Sequence, residues 1–273
     1  AAATAVVVAL RKRSKRRPTV ENRLARQTLL LGPESPSRLR HARVLVVGAG
    51  GLASTCVPLL VGAGVGHITI AYDDTVDVTN LHRQIMHTHD SALHQTFKVD
   101  SAAAFARGLD PHITISPVRA RVTCANALPL ACAHDVVIDC TDNVETRYVL
   151  NDACVLAGVP LVSGAALGTS GQVAVYWPAN GPAGGCYRCA FPRMLSPHEA
   201  GSCARDGVLG PVPAVIGALQ ALEAIKLLSG RGMTGFLTTL DLAELSPSAH
   251  VAVRLRRRED CFACGSPRAL QSL

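Results

Sequence analysis

A β-rich run, Arg43 to Val47, leads directly into Gly48-Ala49-Gly50-Gly51-Leu52-Ala53, and an apolar helical stretch to Val61 and a second strand, Ile68 to Tyr72, follow. Strand, glycine turn, helix and strand in this order open a βαβ unit. In a G-x-G-x-x-G/A turn the first glycine permits a tight bend, the second lets the backbone approach a phosphate, and a small third residue lets helix and strand pack closely. Gly48, Gly50 and Ala53 fill these places, and the helix N-terminus behind them offers unpaired N–H groups to an anion. The turn serves NAD, FAD and ATP alike, so it implies a phosphate without naming a reaction. An acid roughly 20 residues on usually holds the ribose, and Asp73 and Asp74 are the candidates.

Further strands are expected at Ile113 to Val118, Val136 to Cys140, Leu161 to Ser163, Val173 to Tyr176, Leu237 to Asp241 and Val251 to Leu255. Helices are expected at Val20 to Leu31, near 98–107, at 144–157 and at Pro213 to Ser229, the last largely apolar. The alternation implies an α/β fold, a Rossmann-like, mainly parallel sheet covered by helices. Residues 1–20 read as a flexible basic leader and 21–273 as one domain. Of the 27 Lys and Arg, six lie in Arg11 to Arg17, which leaves 21 against 20 acidic residues. The body is nearly neutral, and no nucleic-acid face is expected. Ala1 to Leu10 is too short to cross a bilayer and its basic cluster follows it, so no membrane anchor is expected. With 10 cysteines and two C-x-x-C pairs the chain suits metal binding in a reducing, cytoplasmic compartment, and the leader leaves nuclear or organellar targeting open.

Those pairs, Cys186-Tyr187-Arg188-Cys189 and Cys261-Phe262-Ala263-Cys264, suit a tetrahedral four-thiolate Zn²⁺ site that fastens the C-terminal segment without an open coordination position. A redox role is the competing reading. Cys56, Cys124, Cys132, Cys140 and Cys154 sit among apolar residues and read as core. The histidines at 82, 87, 89 and 94 read as polar loop residues.

Asn80-Leu81-His82-Arg83-Gln84 is a motif that dehydrogenases do not share. With Cys140-Thr141-Asp142-Asn143 it resembles the ubiquitin-activating-type, ThiF-like adenylyltransferase family. The similarity runs from about Val20 to Gly265 and includes Arg23 to Gln27, Gly48 to Ala53, Lys98 and Gly207 to Lys226 in the family's order. The resemblance implies ATP-dependent adenylation of the C-terminal glycine carboxylate of a ubiquitin-like or sulfur-carrier protein ending in Gly-Gly. It implies that Gly48, Gly50, Gly51, Asn80 and Asn143 help to place the nucleotide, that Arg83 and Lys98 contact its phosphates, and that Asp142 holds Mg²⁺. Arg26 resembles an arginine that reaches the partner subunit's site, which implies a homodimer. In place of the family's ribose-binding Asp stands Tyr72, so Asp73 takes that contact if the strand end is bulged by one residue. Cys203 stands where sulfur-transferring relatives form a covalent link to the carrier. A nucleophile, favoured as thiolate by Arg205, and an inert thiol both remain open there. Sulfur is expected from a separate donor or a further segment. A nicotinamide-dependent oxidoreductase would use the same glycine turn but leaves the Asn80 motif, Asp142 and the paired cysteines unexplained. A catalytically silent scaffold of the same fold is the other alternative.

Overall fold

Val44 to Val47 is an unbroken apolar run, the pattern of a strand buried on both faces, and β1 (Arg43–Val47) lies inside the sheet with these four side chains at most 2% exposed. The computed structural model describes residues 20–181, 184–196, 199, 201, 203–232, 235–243, 249–265 and 269–273. The leader expected over residues 1–20 lies outside them save for Val20, which is helical.

Before β1 come helices α1 (Val20–Leu31) and α2 (Ser35–His41), and after it α3 (Ala53–Gly62), β2 (His67–Ala71), α4 (His89–Leu93), α5 (Lys98–Leu109) and β3 (Thr114–Val118). The second half runs α6 (Cys124–Cys132), β4 (Val136–Asp139), α7 (Val144–Ala157), β5 (Leu161–Leu167), β6 (Ser170–Tyr176), α8 (Tyr187–Ala190), α9 (Cys203–Asp206), α10 (Pro211–Leu228), β7 (Phe236–Asp241) and β8 (His250–Arg254). Sheet order is β3-β2-β1-β4-β5-β6-β7-β8. The first four pairings are parallel, as expected, and the last three are antiparallel. The glycine turn after β1 and the turn after β4 therefore emerge side by side at the C-terminal ends of adjacent parallel strands.

Two of the helices not expected, α2 and α6, contain prolines. Pro36, of a residue type that ordinarily breaks helices, sits in the first turn of α2, where its missing N–H leaves no helical bond unmade. The helix α6 contains Pro129 and is held at its start by a capping box between Thr123 and Asn126. Its buried stripe is Ala127 and Ala131, which leaves Cys124 and Cys132 exposed at its ends and corrects their assignment to the core. Cys56, Cys140 and Cys154 are buried as expected.

By length and composition α10 could cross a membrane, but it is a core helix. Val212, Ile216, Gln220, Ala221 and Ala224 are at most 1% exposed, and the helix packs on α3, β5 and β6. Each fully buried aliphatic side chain of this kind contributes roughly 1.5–3 kcal/mol. The approach to α3 depends on Gly217, where a Cβ would stand 2.1 Å from Leu52 O. We expect Gly217→Ala to lower stability by about 1–3 kcal/mol through overpacking. At Gly62 a Cβ would meet nothing within 4 Å, so Gly62→Ala should be neutral or stabilising. Urea midpoints of the two variants check this contrast.

Candidate functional site

The turns after β1 and β4 open onto a cleft of about 480 Å³. Gly50, Gly51 and Leu52 line one wall, and Cys140, Thr141, Asp142 and Arg147 the next. Gly48 is not itself in the lining. Its φ of +98° and the 2.5 Å that would separate a Cβ from Cys140 O show that it lets the loop lie against the end of β4. Asn80, Arg83 and Gln84 form the third wall. A short 3₁₀ turn, Val78–Asn80, capped by the Asp77 side chain on Thr79 N–H, brings them there. Arg83 donates to Asn80 Oδ1, which orients the guanidinium.

Lys98 is the first residue of α5, and its N–H donates to Asp74 O at 2.9 Å. Its side chain is 4% exposed, and its ammonium pairs with Asp74 and lies 5.6 Å from the Tyr72 ring centroid. Burial and the charge of Asp142 push the Tyr72 phenol far above its ordinary pKa, so it remains a neutral hydroxyl at the cleft. Asp73 does not reach this place. The β2–β3 register runs unbroken to Ala71–Val118 and Tyr72 N–H still donates to Val118 O, so the bulge that would bring Asp73 inward is absent. Asp73 is exposed and outside the lining, and of the two acids Asp74 lines the cleft.

Asp142 is exposed at the cleft, and among the described residues no hydrogen bond or ion pair holds it. Asn143, expected to help place the nucleotide, is the N-cap of α7, and its side chain accepts from Thr146 N–H at 2.8 Å. The turn carrying both is fixed by Asp139, fully buried, which accepts from Thr141 N–H, Thr141 Oγ1 and Ser163 Oγ at 3.0, 2.6 and 2.7 Å. Arg147 donates to Thr141 O at 2.9 Å, and its Nε lies 3.8 Å from the Asp139 carboxylate. This side chain is 11% exposed, and its buried Nε finds no hydrogen-bond acceptor among the described residues. Gln84 Oε1 is likewise buried in the cleft wall without a partner among them. Neither Arg147 nor a role for Gln84 was read from the sequence, although Arg147 lies four residues past Asn143, on the same helix face.

The remaining wall comes from Ala165 to Leu167, Ser170 to Gln172 and Thr239, with Gly201 and Val208 at the edge. Gly201 and Val208 flank Cys203, which opens α9 and whose side chain is outside the described residues. Arg205 pairs with Asp206 at 3.0 Å. Arg26 is exposed on α1 and is not in the lining of its own chain's cleft.

Away from the cleft, the sulfurs of Cys186, Cys189, Cys261 and Cys264 lie within 4.8 Å of one another. Three of the separations are 3.8, 3.5 and 3.4 Å. A tetrahedron with Zn–S bonds of about 2.3 Å has edges of about 3.8 Å, so this donor set fits Zn²⁺. Arg258 N–H points at Cys189 Sγ from 3.4 Å, as a thiolate would favour. Within the first knuckle Arg188 makes a two-pronged bond to Asp152 of α7, at 2.7 and 2.6 Å. Its guanidinium is 4.7 Å from the Tyr148 ring and 5.4 Å from that of Phe262.

Several proteins resemble this chain. The chain is 45% identical over 256 residues to the adenylyltransferase and sulfurtransferase MOCS3 of Culex quinquefasciatus, a match over 92% of this chain and 57% of that protein. It is 42% identical over 237 residues to the SAMP-activating enzyme E1 of Haloferax volcanii, over 86% of this chain and 84% of that protein. To the adenylyltransferase and sulfurtransferase UBA4 of Yarrowia lipolytica it is 42% identical, covering 63% of that protein's length. The fold is that of E. coli MccB, with a TM-score of 0.77 over 91% of this chain and 73% of that one, at 20% identity. Residues 24–263 match the ThiF family, and the chain belongs to it.

Proposed function

We propose that the chain uses ATP to adenylate the C-terminal glycine carboxylate of a small ubiquitin-like or sulfur-carrier protein. The observation that carries this reading is the convergence of the glycine-turn backbone, Arg83, Lys98 and Asp142 on one cleft. The names of the mosquito and archaeal relatives point the same way. In the reaction a carboxylate oxygen of the carrier attacks the α-phosphorus of ATP, the bond to the bridging oxygen breaks, and pyrophosphate leaves. Two anions must meet, so the site has to supply positive charge. Arg83 and Lys98 supply it from the protein, and the glycine turn adds N–H donors at the start of α3. Asp142 would hold Mg²⁺, whose contribution is to neutralise phosphate charge. The opposite wall includes the small residues Ala165, Ala166, Ser170 and Gly171. Small side chains there suit a tail ending in glycines.

The cysteine between Gly201 and Val208 is proposed to act second: the Cys203 thiolate attacks the acyl-adenylate, forms a thioester with the carrier and releases AMP. Sulfur then comes from a separate donor or a further segment. Arg26 is proposed to complete the partner subunit's cleft in a homodimer, in keeping with its exposure away from its own. The four-cysteine cluster is proposed to bind Zn²⁺ as a structural ion. Residence in the reducing cytoplasm is proposed from the nine free cysteines among the described residues. A second reading, a scaffold that binds the carrier without activating it, rests on Tyr72 at the ribose position and on the outward Asp73.

Carrier-dependent ATP–pyrophosphate exchange separates the readings, since a scaffold gives none. Exchange should fall about 10²–10³-fold in Asp142→Ala and in Arg83→Ala and remain intact in Cys203→Ala. Loss of exchange in folded Cys203→Ala would remove that residue from the second step. Mixing Arg26→Ala with Asp142→Ala subunits should restore roughly a quarter of wild-type activity, because random exchange leaves one intact site in each heterodimer. No recovery after demonstrated exchange would rule out the contribution in trans. Metal analysis should find one zinc per chain, lost in Cys261→Ser, and chelation should lower the melting temperature.

A further inference from the structure

His87 was read as a polar loop residue, yet it is 6% exposed and lies behind the glycine turn, outside the cleft lining. Its Nε2 is 2.8 Å from Ala49 O and its Nδ1 is 3.0 Å from Ser101 Oγ. A carbonyl only accepts, so the ring hydrogen is on Nε2, and the neutral ring takes the Ser101 hydroxyl hydrogen on Nδ1. Burial lowers the imidazole's pKa, the Lys98 charge acts in the same sense, and the Ala49 contact opposes both.

The consequence falls on the peptide unit joining Ala49 to Gly50. In a planar trans peptide the C=O and the N–H point in opposite directions. The Ala49 carbonyl is turned back to the buried imidazole, so the Gly50 N–H is turned forward, and Gly50 lines the cleft. Among the described residues no acceptor meets the N–H of Gly50, Gly51 or Leu52. On the other side of the ring, Ser101 is one helical turn from Lys98, the buried cation of the same cleft.

We propose that His87 is a positioning residue for phosphate recognition: through the Ala49 carbonyl it aims the Gly50 N–H at the bound nucleotide's phosphates, and through Ser101 it ties that loop to the helix bearing Lys98. This rests on the reading of the cleft as an ATP site. The ring touches no substrate, and its effect is to remove the freedom of one peptide plane to flip.

The test is equilibrium binding of ATP and of adenosine, which has no phosphate, to wild-type protein, His87→Asn and His87→Gln. A glutamine amide nitrogen falls near the Nε2 position and can still donate to Ala49, whereas asparagine is too short to reach. His87→Asn should bind ATP about 10- to 100-fold more weakly, the worth of one charge-assisted hydrogen bond. Its adenosine affinity should be unchanged, and His87→Gln should recover most of the ATP affinity. Unchanged ATP affinity in His87→Asn, or equal losses for ATP and adenosine, would overturn the proposal. Wild-type protein that binds no ATP would instead remove the nucleotide reading beneath it. Imidazole nitrogen chemical shifts of the wild-type protein give a check that needs no variant: a hydrogen on Nδ1 instead of Nε2 would overturn the proposal as well.

Discussion

The parallel pairing of β1 with β4 is the constraint on which the rest depends. From β1 the chain moves outward to β2 and β3, and from β4 outward the other way to β5, so the two turns part and a crevice is left between them. This is the switch point at which open α/β sheets bind ligands. Register brings Val47 beside Asp139, and Gly48 then lies so close to Cys140 O that no side chain fits. The glycine turn and the acidic turn are thus held at a fixed separation by the sheet itself.

A second dependence runs along α7. Its N-cap, Asn143, follows Asp142 at the cleft, and farther along it Asp152 grips Arg188 of the first cysteine knuckle. Asn151 accepts from Tyr187 N–H at 2.7 Å, which adds a second tie between helix and knuckle. One rigid rod therefore spans the cleft and the cysteine cluster. Tyr148, Tyr176, Tyr187 and Phe191 pack around the knuckle, Tyr187 standing edge-on to Tyr148 and Tyr176. The knuckle is seated by hydrophobic burial and by a partly buried ion pair as well as by its sulfurs.

Much of this was legible because it is written in local chemistry. The bounds of α1, β1 and α7 follow from apolar periodicity and cap residues, and the four cysteines follow from spacing. Arg83, Lys98 and Asp142 were found through motifs and do meet in space. That Asp74 and not Asp73 lines the cleft turns on a single bulge, which pairing with β3 decides and local sequence does not. Asn143 matched a motif, but its side chain closes a helix end, a role visible only with the helix in place. The places of Arg147, Asp139 and His87 were not legible for a common reason. Each acts through burial against residues distant in sequence, and burial of a polar group leaves no periodic trace. The antiparallel half of the sheet was equally hidden, since strands β6 to β8 look locally like any others.

The ion pair of Lys98 with Asp74 bears on what the cleft does between ligands. An ammonium so nearly closed off from water is unfavourable without a partner, and Asp74 stands in for one. The carboxylate is a placeholder: it keeps the cation where an anion will want it and is itself half exposed, with 51% of its side chain reachable by solvent. On the proposed reading of the cleft as an ATP site, an arriving phosphate would trade places with a tethered anion and would not have to rebuild the site. Entry and release would then be an exchange of partners around a charge that stays still.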